Sequence, residues 1–269
     1  MRLATLLVLL TSAAMLTLAS TAVPAFAAAP APLAAHQATY KLSLDSARGG
    51  EVTSVSGTMG YEVTDACDGW AVRQRLQMTL TNRDGQDIEM VSDYLTWESK
   101  DGLRMTFRTK QTTDTAVTEQ VEGDAKLDAT GEAGSIHYTV PEDKTAPLPA
   151  GTLFPMMHTA AIIAAAEGGK KFLALPLFDG TGVDGVQNTS VIVSNWNPPS
   201  ASQYPVLAEL PSGRVRVAFF DRKKESQSPD YEVGMKYWEN GVADDLSMDF
   251  ADFVVSGKLA SFTVPKPHC

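Results

Sequence analysis

The chain has 269 residues, 44% of them hydrophobic and 20% charged, which is the composition of an ordinary globular protein. Its formal net charge of −10 sets it against nucleic acid and anionic membrane surfaces and argues against both as partners.

Residues 1–27 read as an export signal. Arg2 supplies the positive n-region, Leu3 to Leu18 an uncharged apolar h-region, and Ala25-Phe26-Ala27 the small-x-small pattern that a signal peptidase cuts, with Pro24 just upstream. Cleavage is expected after Ala27, with Ala29 as the fallback. The apolar run is short for a membrane span and lacks a basic stop-transfer flank. No Cys follows the cleavage region to accept a lipid. Residues 28–269 are therefore expected as one soluble domain in an oxidising compartment, where ATP and NAD chemistry is improbable.

After a Pro/Ala-rich lead, the chain reads as strands almost without interruption. Ala38, Tyr40, Leu42 and Leu44 alternate with polar residues, and so do Trp70, Val72, Leu76, Met78 and Leu80 around Gln74. Such a period of two buries one face of a sheet and leaves the other wet. Asn82-Arg83-Asp84-Gly85 and Lys100-Asp101-Gly102 supply turns, and Leu103, Met105 and Phe107 resume the alternation. Further strands are expected at Ala116–Val121, Ser135–Val140, Phe172–Phe178, Ser190–Trp196, Val206–Leu210, Arg214–Asp221, Tyr231–Glu239, Leu246–Val255 and Lys258–Val264.

Thr152 to Gly168 breaks the pattern and predicts the one main helix. Thr152 or Gly151 suits its cap, Pro155 its first turn, and Gly168-Gly169 its end. Its apolar residues suggest that it plugs or caps the sheet. The fold class is thus all-β with one main helix. About a dozen antiparallel strands must curl to protect their edges, so an open barrel-like sheet is expected, with a two-sheet sandwich as the rival.

Catalytic patterns are sparse. His36, His137, His158 and His268 show no metal-ligand spacing, and no G-x-S-x-G elbow occurs. His158, early in the helix, reads as a packed histidine or as a group facing the interior. Asp179-Gly180-Thr181-Gly182-Val183-Asp184-Gly185 reads as a Gly-rich turn, since it lacks the full register of a calcium loop. Asp244, Asp245, Asp249 and Asp252 read as solvated positions rather than a glycosidase pair. Tyr231, Tyr237 and Trp238 suit either core or a ligand groove. No catalytic residue, metal or cofactor is expected.

Cys67 and Cys269 are the two cysteines. In an oxidising compartment they most simply form one disulfide around nearly the whole domain. The alternatives are a free thiol at Cys269 or an intermolecular bridge from it. Their separation is far from a C-x-x-C redox pair.

Several short motifs, in order, resemble the EipB-like cell-envelope integrity proteins of alphaproteobacteria. They are Trp97-Glu98-Ser99-Lys100-Asp101-Gly102, Gly151-Thr152-Leu153-Phe154-Pro155 with His158 following, Phe178-Asp179-Gly180, and Asp249-Phe250-Ala251-Asp252-Phe253 with Gly257-Lys258-Leu259 and Cys269. The Met156-Met157 pair departs from the more polar residues expected there. The resemblance implies a periplasmic protein whose sheet winds into an open spiral-like barrel, with Cys67 and Cys269 as a structural disulfide. It assigns no catalytic residue, and no enzymatic activity is established for the family. The expected function is non-enzymatic maintenance of the cell envelope by binding another envelope protein. The alternative is a carrier of a lipid or hydrophobic peptide in an open-barrel cavity. An envelope hydrolase is third, because no triad or carboxylate pair is found.

Overall fold

The structure, a computed structural model, describes residues 33–223, 228–266 and 269. The expected signal peptide with its cleavage site, and His268, lie outside these residues.

The first arm of the fold is a meander of eight strands: β1 (His36–Ala47), β2 (Val52–Asp65), β3 (Gly69–Asn82), β4 (Asp87–Ser99), β5 (Arg104–Thr113), β6 (Ala116–Leu127), β7 (Gly134–Val140) and β8 (Lys144–Leu148). Helix α1 (Pro155–Glu167) leads into the second arm. That arm holds β9 (Phe172–Leu177), β10 (Gln187–Val193), a short helix α2 (Pro205–Ala208), β11 (Ser212–Asp221), β12 (Tyr231–Trp238), β13 (Ala243–Asp249) and β14 (Phe253–Thr263). β14 returns to pair with β1, so all fourteen strands form one antiparallel sheet with β8 and β9 at its edges. This is the open barrel-like sheet expected from the alternation, and a sandwich of two separate sheets is not what forms.

The period of two sets the inner face. In β1, His36, Ala38, Tyr40 and Leu42 are buried while Gln37, Thr39, Lys41 and Ser43 are exposed. Register carries that face across the sheet. One inward row runs Ala38, Tyr61, Gln74, Tyr94, Thr109 and Val121 from β1 to β6. Pro147 in β8 and Pro176 in β9 suit the edges, where a missing N–H breaks no ladder.

Four details differ from the sequence expectations. β2 is a full strand, but its Ser, Thr and Gly residues give little polar/apolar contrast. β8 is likewise a strand, its pattern obscured by its proline. Val206–Leu210 is not a strand: Pro205 starts the short helix α2 there and Leu207 is buried. Leu246–Val255 is two strand segments, because Phe250-Ala251-Asp252 turns, with Ala251 at φ +68°. Fourteen strands therefore replace the dozen expected.

The sheet does not close edge to edge. The segment between β8 and α1 joins β9 through a parallel bridge, with Leu153 N–H donating to Pro176 O (2.9 Å) and Phe178 N–H to Leu153 O (3.0 Å). The chain after β9 then crosses the inner faces of β4 and β5. There Tyr94 Oη donates to Asp179 O (2.7 Å) and Thr109 Oγ1 to Gly180 O (3.0 Å). The second arm thus winds past the first, as a spiral does.

Two main cores result. The larger packs β1–β3 and β10–β14 around Ile162 and Ala166 of α1. The smaller packs Met105, Phe107, Ile136, Tyr138 and Phe154 around Phe178, with Phe107 and Phe178 edge to face at 5.2 Å. α1 is apolar nearly all round and buries seven residues, as a helix inside a barrel must.

Cys67, at the turn after β2, is bonded to Cys269, with Cα atoms 5.5 Å apart and a sequence separation of 202. A loop of that length gives roughly 5 kcal/mol of stabilisation at most in the chain-entropy treatment. Cys67→Ser is expected to lower Tm by roughly 10 °C, since each kcal/mol moves a domain of this size by roughly 2–4 °C. Reduction of the wild type should give the same shift in a calorimetric scan. An unchanged Tm in both would show that the bond contributes nothing to stability.

Candidate functional site

Beside the larger core the inward rows leave a cavity of about 390 Å³. One wall is aromatic and aliphatic: Tyr40, Met59, Tyr61, Val233, Met235, Tyr237 and Met248. The polar part of the lining is built from Gln74 on β3, Ser92 and Tyr94 on β4, and Thr109 and Gln111 on β5, with Asp179 and Thr181 from the loop after β9. Met156, His158 and Thr159 of α1 also line it. Polar residues at inward positions of three adjacent strands could have revealed this wall from the sequence, and only Gln74 was singled out.

Phe178-Asp179-Gly180 forms one corner, and each residue has a distinct job. Phe178 is fully buried in the smaller core. Gly180 sits at φ +71°, and a Cβ there would lie 2.5 Å from the Phe107 ring, so only glycine fits. Asp179 turns into the cavity. Its Oδ1 accepts the Thr181 N–H (3.0 Å) and the Thr181 hydroxyl (2.8 Å). Burial raises its pKa, and those two hydrogen bonds oppose the rise. The stretch 179–185 is a turn, and no group of three or more metal-ligating side chains occurs among the described residues.

Glu98, at the end of β4, holds the start of α1. Pro155 occupies the first turn and has no N–H to satisfy. Met156 N–H donates to Glu98 Oε2 (2.8 Å) and Met157 N–H to Oε1 (3.0 Å). His158 N–H makes the first intrahelical bond, to Phe154 O (2.8 Å). The N-terminal donors of the helix are thus accounted for, and neither Thr152 nor Gly151 serves as the cap. Glu98 is buried at 1% exposure. Burial pushes its pKa up to about 7, against the two N–H bonds that lower it. Next to it, Gly102 at φ +68° lets Met157 approach, since a Cβ there would lie 2.5 Å from Met157 Cγ.

His158 is buried, and desolvation lowers its pKa to about 4. Its Nε2 lies 2.9 Å from Thr189 Oγ1, whose own proton goes to Leu175 O at 2.7 Å. The threonine must therefore accept from Nε2–H, so His158 is a donor here and not a base activating that hydroxyl. His36 also lines the cavity, its pKa lowered by burial and its Nδ1 2.8 Å from Ala34 O. His137 lies elsewhere, on the outer surface between Asp124 and Asp143. Tyr231 and Tyr237 line the cavity, whereas Trp238 is buried in the larger core. Two of the four acidic residues form ion pairs: Asp249 takes Arg48 in a two-pronged contact (2.8 Å each), and Asp245 takes Arg214 (2.8 Å) and Lys258, while Asp244 Oδ1 accepts the Leu259 N–H (2.8 Å) and Asp252 lies in the turn before β14.

Comparison with known proteins follows the same outline. A family model for EipB-like proteins matches residues 27–266. The chain is 32% identical over 250 residues to the cell envelope integrity protein EipB of Brucella abortus (strain 2308), covering 89% of this chain and 87% of that protein. It is also similar to the crystal structure of a beta-barrel-like protein of a domain of unknown function, DUF1849, from Brucella abortus. That match has a TM-score of 0.79 and 28% identity, and covers 88% of this chain and all of that one.

Two buried groups should tilt stability with pH in opposite directions. The folded pKa of Glu98, about 7, exceeds its ordinary 4.5, so its stabilisation is complete below pH 4.5 and is lost as pH rises to 7. The folded pKa of His158, about 4, lies below its ordinary 6.5, so its stabilisation is complete above pH 6.5 and is lost as pH falls to 4. Relative to wild type, the Tm of Glu98→Gln should rise with pH across the first window, and that of His158→Gln should fall with pH across the second. Each effect is expected to reach about 3 kcal/mol. Three parallel Tm–pH curves would contradict both assignments.

Proposed function

The chain belongs to the EipB-like family, and from that membership we propose that it is an exported protein that acts in the periplasm and helps maintain the cell envelope. We propose further that it acts by holding an amphiphilic ligand inside its barrel rather than by catalysis. The envelope role is supported by the name of its Brucella relative, and export by the signal pattern of residues 1–27. The ligand role is carried by the cavity. Its lining is apolar in one part and polar in another, it lies inside a protein whose interior would otherwise be filled, and about 390 Å³ is within the usual range of small-molecule sites.

Contact with another envelope protein remains a second reading, because one feature favours it. On the edge strand β9, Phe172 faces Ile192 of β10, and the two are 61% and 51% exposed. An apolar pair at the Phe172 end of the edge, away from the Leu153 bridge at Leu177, suits strand addition by a partner.

Native mass spectrometry of the chain isolated from periplasm separates the two. A reproducible extra mass that leaves on collisional activation supports the ligand reading. A bare chain overturns it and leaves protein contact as the function. Phe172→Asp should then abolish capture of the partner and leave Tm within about 1 °C, as exposed substitutions do.

A further inference from the structure

The cavity's charge is uneven in a way that specifies its ligand. Among the described residues that line it, Asp179 is the one carboxylate, and neither Lys nor Arg is among them. Burial lowers the pKa of His36 and of His158 and so disfavours a positive charge on either ring. Asp179 forms no ion pair among the described residues, and its hydrogen bonds from Thr181 both fall on Oδ1. A carboxylate taken out of water without a counter-charge is costly, and the structure supplies none. Glu119 adds to the negative potential beside the same loop, its Oε1 lying 3.4 Å from where a Cβ on Gly182 would be.

The aromatic groups around this corner point the same way. Phe219 and Tyr231 are stacked with ring centroids 4.3 Å apart, and both line the cavity with Tyr94. Ring faces attract ammonium groups and offer nothing to anions. The hydrocarbon wall formed by Met59, Val233, Met235 and Met248 lies within the same space.

We propose that the cavity takes an amphiphile with a single ammonium head and a short apolar body, the head pairing with Asp179 and the body lying against the methionine-rich wall. This rests on the ligand-holding reading above and narrows it. A fatty acid or an anionic lipid of the same chain length would place like charge against Asp179 and is rejected.

Titration calorimetry of the folded, oxidised chain with decylamine, decanol and decanoate, each below its critical micelle concentration, tests the assignment. Decylamine is expected to bind one to one and about tenfold more tightly than decanol, with decanoate weakest, because a buried charge pair is the one added interaction. In Asp179→Asn the amine should lose that advantage while decanol binds as before. Equal binding of decylamine and decanol by the wild type, or an amine preference that survives Asp179→Asn, overturns the pairing and leaves the ligand-holding reading standing. Failure of all three probes to bind overturns both. If Asp179→Asn does not fold, the wild-type order of the three probes decides alone.

Discussion

The contact between Glu98 and the first turn of α1 organises the rest of the molecule. A helix buried inside a sheet cannot leave its first N–H groups bare, because water is not there to satisfy them. Met156 and Met157 find theirs in one carboxylate on β4. That fixes the start of α1 against the end of β4, and with it the preceding segment, where Leu153 bridges β9. The same placement brings Met156, His158 and Thr159 to the cavity. A burial that would be costly for a lone carboxylate is offset in part, because both oxygens are engaged and because a helix N-terminus favours negative charge, though desolvation still holds the pKa up at about 7.

The cavity follows from how the sheet winds. Fourteen strands closed edge to edge would enclose a wide lumen, since side chains fill a barrel of only about eight. Instead the chain after β9 passes inside β4 and β5, and Phe178 is drawn into the smaller core. The larger core gathers on the other side around Ile162 and Ala166. The space left beside it is lined by Gln74, Ser92, Thr109 and Gln111, where aliphatic residues would have buried more apolar surface and, at roughly 25 cal/mol per Å², contributed more stability. A fold that forgoes that burial in one coherent patch keeps a shaped, polar-lined space, which suits a binding protein.

Much of the fold was legible because alternation is a local signal. Ala38, Tyr40 and Leu42 announced the inner face of β1, and Pro155 with Gly168 bracketed α1. β2 escaped because Ser, Thr and Gly on both faces give no contrast. α2 escaped because a four-residue helix has no period to read. The motifs behind the family resemblance turn out to be packing instructions: Gly102 makes room for Met157, Gly180 for Phe107, and Glu98 holds a helix that begins 57 residues later in the chain. That partnership is non-local, and no spacing rule exposes it. The inward parity of Glu98 on β4 was the one available hint, since a carboxylate on a buried face must have a partner.

The strand order also has a kinetic meaning. Nearly every pairing joins consecutive strands, which can zip as local hairpins, but β1 and β14 meet across most of the chain. Closing so large a loop carries the main entropic barrier, so the seam should form last, after the two meanders. Thr263 pairs with Gln37 there, and His36 with Val63 on the neighbouring strand, so this one event also carries the end of β14 toward Cys67. The covalent bond and the final strand pairing are thus one closure made twice. Whichever forms first has already met the search cost of the other.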